Sequence, residues 1–375
     1  MKKNLFILAA TAAALASCSN DVTTAVNTTL NAPQEITFRS TMDGMTRADA
    51  TTTSSIEDNG FTAEGWMNSS HSSHFAAITF TKSGSSYVAE SKPQWPATGN
   101  LDFVAWYPAL EENIFSHAVW NTFTFVPNTT VASQKDYVIA AVLNQAKTNS
   151  GVPLVFKHLG SWIEVKVYNS KGNTTNNYKT TVTGWKLGYL YNGGVYTITG
   201  STADASALSA TGSWSYTNYA QATSNVPFSY SETFDAVTIT NNGAHDASGN
   251  AIAIGNAMIV VPQTTTKLTS SSIYGTGGYL TGAFIAIKLL VEDAANGDAD
   301  IADATSDNLW AVWPVNNDWA DGTKYTYIID LAQGGYKEKD TEGQTLKPWI
   351  ENTEIFFNSV NVSEWTAGSP AVVTP

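Results

Sequence analysis

From about residue 60 onward the hydrophobic positions come in short β-branched and aromatic runs, closed by Gly, Asn, Pro or Ser. A first set lies at 76–82 (AAITFTK), 87–92, 101–108 (LDFVAWYP), 121–127 (NTFTFVP) and 137–143 (YVIAAVL). A second set lies at 161–169 (SWIEVKVYN), 182–191, 194–200, 235–240, 256–262, 283–293, 324–331 (KYTYIIDL) and 353–365. Such runs read as strands. IEVKV and YTYII alternate apolar and polar, which predicts strands with one wet face. Few windows hold a helical period beyond a turn or two. The pattern predicts an all-β protein built from sandwiches. No repeat of about 20–50 residues is present, which argues against a propeller or solenoid. The polar stretch 144–153, with Gly151 and Pro153, separates the two sets and predicts a boundary between domains at 48–150 and 151–375. Residues 201–232, rich in Ser, Ala, Thr and Tyr, predict a long loop or an inserted hairpin.

Ahead of this body the pattern changes. Lys2 and Lys3 precede a short apolar core from Leu5 to Leu15, which reads as a secretory signal over 1–17 and is too short to span a membrane. Leu15-Ala16-Ser17-Cys18 follows the form of a lipobox, in which Cys18 carries the lipid and becomes the mature N-terminus. A lipidated chain is anchored to the membrane without spanning it. Residues 18–47 then read as a tether and a removable strand. The tether is small and polar to residue 34. At 35–40 (EITFRS) strand alternation puts Ile36 and Phe38 on one face and Thr37 and Arg39 on the other. Gly44 and a run of Thr and Ser break that pattern.

Arg39 and Arg47 are the only arginines in 375 residues. An Arg-specific protease could therefore release one N-terminal piece and leave the rest intact. Arg47 lies in a loop-like stretch, where proteolysis concentrates. Arg39 lies in a predicted strand and is protected when that strand pairs. The expected cut is between Arg47 and Ala48.

Charge and composition narrow the function. Charged residues make up 14% and the net charge is −13, with no basic run, which argues against nucleic-acid binding. A single Cys excludes a disulfide framework. His158 lies on a predicted strand between Phe156 and Trp162 and reads as a hydrogen-bonded structural histidine. His71 and His74, in NSSHSSH, could share a metal but have no carboxylate nearby in sequence. Asp298, Asp300, Asp303 and Asp307 match a calcium loop in acidity only and lack its Gly and closing Glu. No nucleophile elbow, phosphate loop or zinc-protease motif is present. No catalytic residue, metal or cofactor is expected. Most of the Trp residues fall within strand patterns or beside Pro, which reads as core.

Four stretches, in order, resemble the fimbrillin family of Bacteroidales, the pilins of type V pili. They are Lys92-Pro93-Gln94-Trp95-Pro96 leading into Leu101 to Pro108; Val155-Phe156-Lys157-His158 leading into Trp162 to Val167; Trp319 with Gly322 to Tyr327; and Ile355-Phe356-Phe357 with Val362 and Trp365. Two positions depart from the pattern: Gly160-Ser161 stands where small apolar residues are usual, and Asp321 replaces a Pro. The resemblance implies two transthyretin-like β-sandwich domains in tandem. It also implies export as an outer-membrane lipoprotein bearing acyl chains such as palmitate, Arg-specific cleavage, and strand exchange with other pilus subunits in a fimbrium. Residues 35–46 would then be an edge strand whose removal opens a groove for another subunit's strand. The competing reading is a monomeric surface lipoprotein that binds glycans through exposed aromatics.

Overall fold

A computed structural model of the chain describes residues 34–42, 51–169, 178–201, 210–216, 228–239, 251–267, 280–293, 299–303, 310–331, 335–337, 357–364 and 371–373. The first half comprises β1 (Phe38–Met42), a short helix α1 (Thr53–Asn59), β2 (Phe61–Met67), β3 (Ser73–Ser83), β4 (Ser86–Val88), β5 (Leu101–Tyr107), β6 (Phe115–Val119), β7 (Thr122–Phe125), β8 (Val138–Gln145) and β9 (Val152–His158). The second comprises β10 (Ser161–Tyr168), β11 (Tyr178–Gly188), β12 (Gly194–Ser201), β13 (Ala210–Ser215), β14 (Ser229–Ile239), β15 (Ile252–Ala253), β16 (Met258–Val260), β17 (Phe284–Asp293), β18 (Ala299–Asp303), β19 (Ala311–Pro314), β20 (Thr323–Asp330), β21 (Tyr336–Lys337), β22 (Phe357–Glu364) and β23 (Ala371–Val373). The protein is nearly all-β, as the alternation predicted.

The first sheet closes on itself in the order β1-β4-β3-β2-β5-β8-β9. It is a seven-stranded barrel, where a two-sheet sandwich was expected. The cause is β1: it runs parallel to β9 from Phe38 opposite Val152 to Met42 opposite Phe156, and it meets β4 where Phe38 faces Tyr87. The expected edge strand therefore has a neighbour on each side. Inward residues alternate with outward ones, and Phe61, Phe80, Phe103, Leu154 and Phe156 fill the interior. Helix α1 starts in a capping box between Thr52 and Ser55 and sends Ile56 into the same core. It ends at Gly60, whose φ of +74° puts any added Cβ 2.3 Å from the Phe80 carbonyl oxygen, so only glycine fits.

The stretch 144–153 is the connection between β8 and β9, two strands of that one barrel. Pro153 hides the first part of this strand in the sequence, because Pro seldom sits in a sheet interior. Val152 donates its N–H to the Thr37 carbonyl (2.8 Å), so the alternate position 153 faces β8. There the ladder is absent, since β8 and β9 pair only at Lys157 and His158. A further sheet, β13-β12-β7-β6, joins a hairpin from each half. In it β13, which lies within 201–232, returns on β12, the strand expected at 194–200.

In the second half one sheet runs β15-β10-β20-β22-β23 and another β14-β11-β17-β19-β21, with a shared core of Ile163, Val165, Trp185, Ile285, Trp313 and Tyr327 among others. β10 and β20 lie side by side in parallel at the sheet's centre. Their outer face keeps polar residues, with Glu164 accepting from Thr326 (3.2 Å) and paired with Lys324 (3.0 Å). Glu164 and Thr326 are buried, so that face is drier than alternation alone predicts. Seven Trp (95, 106, 162, 185, 310, 313 and 319) are buried, in keeping with the core reading.

Burial also sets an alkaline limit. Desolvation pushes the Tyr230 and Tyr327 phenols well above their ordinary value of 10.0. Above pH 10 the unfolded chain releases these protons while the native protein retains them, so stability present below pH 10 is lost as pH rises. Each tyrosine should remove about 1.4 kcal/mol by pH 11. A urea midpoint that stays constant between pH 9 and pH 11 would contradict this.

Candidate functional site

The candidate site is the barrel seat of residues 34–42. Gln34 donates its side-chain amide to the Thr148 carbonyl (2.6 Å), and its own carbonyl accepts from the Trp95 N–H (2.9 Å). Ile36 donates its N–H to the Pro93 carbonyl (2.7 Å). Ile36 and Phe38 are both 0% exposed, on the inward face that the alternation assigned them. The Phe38 ring stands edge-on to Phe80 (4.7 Å), Phe103 (5.2 Å) and Phe61 (5.8 Å). Arg39 is exposed at its side chain, but its backbone lies in the ladder opposite Pro153.

Cys18, Arg47 and Ala48 lie outside the described residues. The flanks of 43–50 do not. Upstream, Met42 faces Phe156 on β9. Downstream, Thr51 is fixed to Asp136: its N–H donates to Asp136 Oδ2 (2.9 Å) and its hydroxyl to the Asp136 carbonyl (2.8 Å). Asp136 Oδ2 also bonds His158 Nδ1 (2.8 Å), and both side chains are buried. His158 thus acts through Asp136 on the start of the barrel chain, a structural task. His158→Gln should cost about 1–3 kcal/mol, the price of leaving a buried partner unsatisfied. Thermal melts read the loss, and a hydrolytic activity abolished at unchanged stability would contradict the assignment.

The other histidines separate. His74 Nε2 bonds the Gln94 carbonyl (2.7 Å), whereas His71 stacks on Trp120. Among the described residues no group of three His, Cys, Asp or Glu could hold a metal ion. Of the acidic stretch, Asp300 and Asp303 lie in β18, which pairs with β17, while Asp298 and Asp307 fall outside the described residues. A buried pair that the sequence hid is His117 on β6 with Glu64 on β2, which pins the β6–β7 hairpin to the barrel.

The two departures from the family pattern meet at one junction. Ser161 donates its hydroxyl to the Ala320 carbonyl (2.8 Å), and Gly322 donates its N–H to the Gly160 carbonyl (3.0 Å). A Cβ at Gly160 would lie 2.6 Å from the Ile259 side chain. Asp321 pairs with Lys157 on β9 (2.8 Å), which also bonds the Tyr196 hydroxyl on β12. Burial opposes the Lys157 charge, but Asp321 and Tyr196 outweigh it and hold the ammonium above its ordinary value. These distant positions share a place only in three dimensions.

The described first half is thus a closed barrel that takes in one sequence-remote strand, and His117 and His158 are tied to buried carboxylates within it. The chain belongs to the fimbrillin-like family, whose model it matches over residues 23–351. It is similar to a fimbrial protein from Bacteroides vulgatus ATCC 8482, at 18% identity and a TM-score of 0.50, over 88% of this chain and 99% of that one. It is also similar to a protein assigned to cell adhesion from Bacteroides uniformis ATCC 8492 (16% identity, TM-score 0.43, 89% and 99% covered). Another such protein, from Parabacteroides distasonis ATCC 8503, gives 9% identity, a TM-score of 0.46, and 90% and 98% covered. No curated protein matches the chain. Among the described residues no helix is long and apolar enough to cross a membrane.

Proposed function

We propose that this chain is a pilus subunit that works at the cell surface. It is exported as an outer-membrane lipoprotein through Cys18, cut by an Arg-specific protease between Arg47 and Ala48, and assembled when a strand of another subunit takes the place of β1. The observation that carries this reading is the seat of β1. Ile36 and Phe38 are wholly buried in a barrel otherwise built from residues 56–156, and the segment that joins them to it contains Arg47. Removing β1 leaves unpaired N–H and C=O groups along β9 and an open aromatic core, which an incoming strand can satisfy. Head-to-tail addition of this kind does not close, so it grows a filament. A sandwich of the transthyretin-like kind is kept in this reading for the second half, where two sheets share one core.

Incubating the purified precursor with an Arg-only protease tests the proposal. Oligomers should appear by gel and microscopy after the cut, and a cut precursor that stays monomeric at high concentration counts against it. Cys18→Ala should yield a soluble periplasmic protein without acyl chains, since the signal remains but the lipidated thiol is gone. An Ala variant that still carries acyl chains would remove the lipobox from the account.

A further inference from the structure

We infer that the outer face of the barrel, beside the β2–β3 turn, carries a binding site for a neutral saccharide, with Trp120 as the stacking platform and Asp102 as the hydroxyl acceptor. Asp102 lies on β5 opposite Trp66 of β2 and is 0% exposed. Its Oδ1 is fixed by two donors, the Asn68 side-chain amide (2.8 Å) and the Asn144 N–H (2.7 Å). Its Oδ2 is buried and has no hydrogen-bond partner. His71 Nδ1 stands 3.4 Å from it, an ion-pair distance if the ring is charged, with no hydrogen bond formed. A buried carboxylate oxygen left without a donor is an unusual feature, and a ligand hydroxyl would satisfy it.

The platform is the half-buried Trp120, at the turn between β6 and β7. The His71 ring lies on the indole at 4.2 Å and 6° between planes. His71 is itself 46% exposed at the side chain and sits at φ +49°, in the left-handed region. It is therefore a weakly tied cover over an aromatic face. A pyranose ring that takes its place sets its C–H face on the indole and directs a hydroxyl at Asp102 Oδ2. Ser70 and Ser72, joined through their hydroxyls (2.8 Å), flank His71 in the chain, and Asn144, which donates its N–H to Asp102, accepts from the Asn100 amide (2.8 Å); such hydroxyls and amides suit further sugar hydroxyls. No Lys or Arg stands among these residues, and the chain carries a net charge of −13, so an acidic sugar would meet repulsion at Asp102. The site stands apart from β1 and does not depend on strand exchange.

Saturation-transfer NMR on the full chain tests the inference. The probes are the methyl pyranosides of glucose, galactose, mannose and N-acetylglucosamine, with the methyl glycoside of N-acetylneuraminic acid as the acidic comparison. At least one neutral pyranoside should receive saturation at its ring protons, and Trp120→Ala should weaken that binding about tenfold or more. His71→Ala should leave binding intact or strengthen it by uncovering the indole. Because Asp102 is buried, the variants at the half-exposed positions Trp120 and His71 carry the test, with melting curves confirming that each is folded. Transfer to no neutral pyranoside, transfer unchanged in Trp120→Ala, transfer lost in His71→Ala, or equal transfer to the acidic glycoside would each overturn the inference.

Discussion

Phe38→Ala is expected to lower the stability of the uncut chain by about 3–5 kcal/mol, the range for emptying a buried aromatic site. The ring is fully buried and touches Phe61, Phe80 and Phe103, which belong to strands paired with other partners and cannot collapse freely into the void. The neighbouring Arg39→Ala provides the contrast. Its side chain is exposed, so it should change stability by no more than about 0.5 kcal/mol. Urea unfolding of the two variants beside the parent decides the matter. If they unfold alike, β1 does not hold the barrel together. After cleavage the same substitution should let the N-terminal piece dissociate on gel filtration. In the parent the piece should stay bound to the monomer until a partner strand displaces it, since burial of Ile36 and Phe38 is worth roughly 1.5–3 kcal/mol each.

Arg47→Ala should leave a folded, lipidated monomer that does not polymerise. An Arg-specific protease has only Arg39 as an alternative, and the backbone there lies in the ladder with β9. Both flanks of 43–50 are anchored separately, Met42 at β9 and Thr51 at Asp136. A cut at Arg47 should therefore sever the covalent link while the ends stay docked, which makes cleavage and strand release two distinct steps. The expected change is all-or-none: filaments from the cleaved parent and none from the variant under the same protease. Filaments from uncleaved Arg47→Ala as abundant as from the parent would remove Arg47 as the switch.

The strand pattern was largely legible because period-two alternation is local. LDFVAWYP became β5 and KYTYIIDL became β20 almost residue for residue. The inward placement of Ile36 and Phe38 was legible for the same reason. Of β9 only the end at His158 was legible, because Pro153 argues against a strand unless the neighbour on its bare side is known to have diverged. β2 was missed because FTAEGWM is short of β-branched residues; its place between β3 and β5 is what makes it a strand. The stretch 144–153 joins β8 to β9 within one sheet, and its composition does not show this, since a polar turn within a barrel and a linker have the same composition.

The site shows the same division. Sequence alone determined that the protein is all-β and acidic, that its arginines are confined to one N-terminal segment, and that four ordered motifs resemble the fimbrillins. These are properties of composition and local order, which need no long-range contact to be visible. Tertiary structure decided that β1 closes a barrel instead of lining an edge, that Thr51, Asp136 and His158 anchor the chain beyond Arg47, and that Gly160, Ser161 and Asp321 meet at one junction. It also decided that His71 lies on Trp120 above Asp102. Each of these depends on which strand pairs with which, and pairing is set by burial of whole faces between residues far apart in the chain.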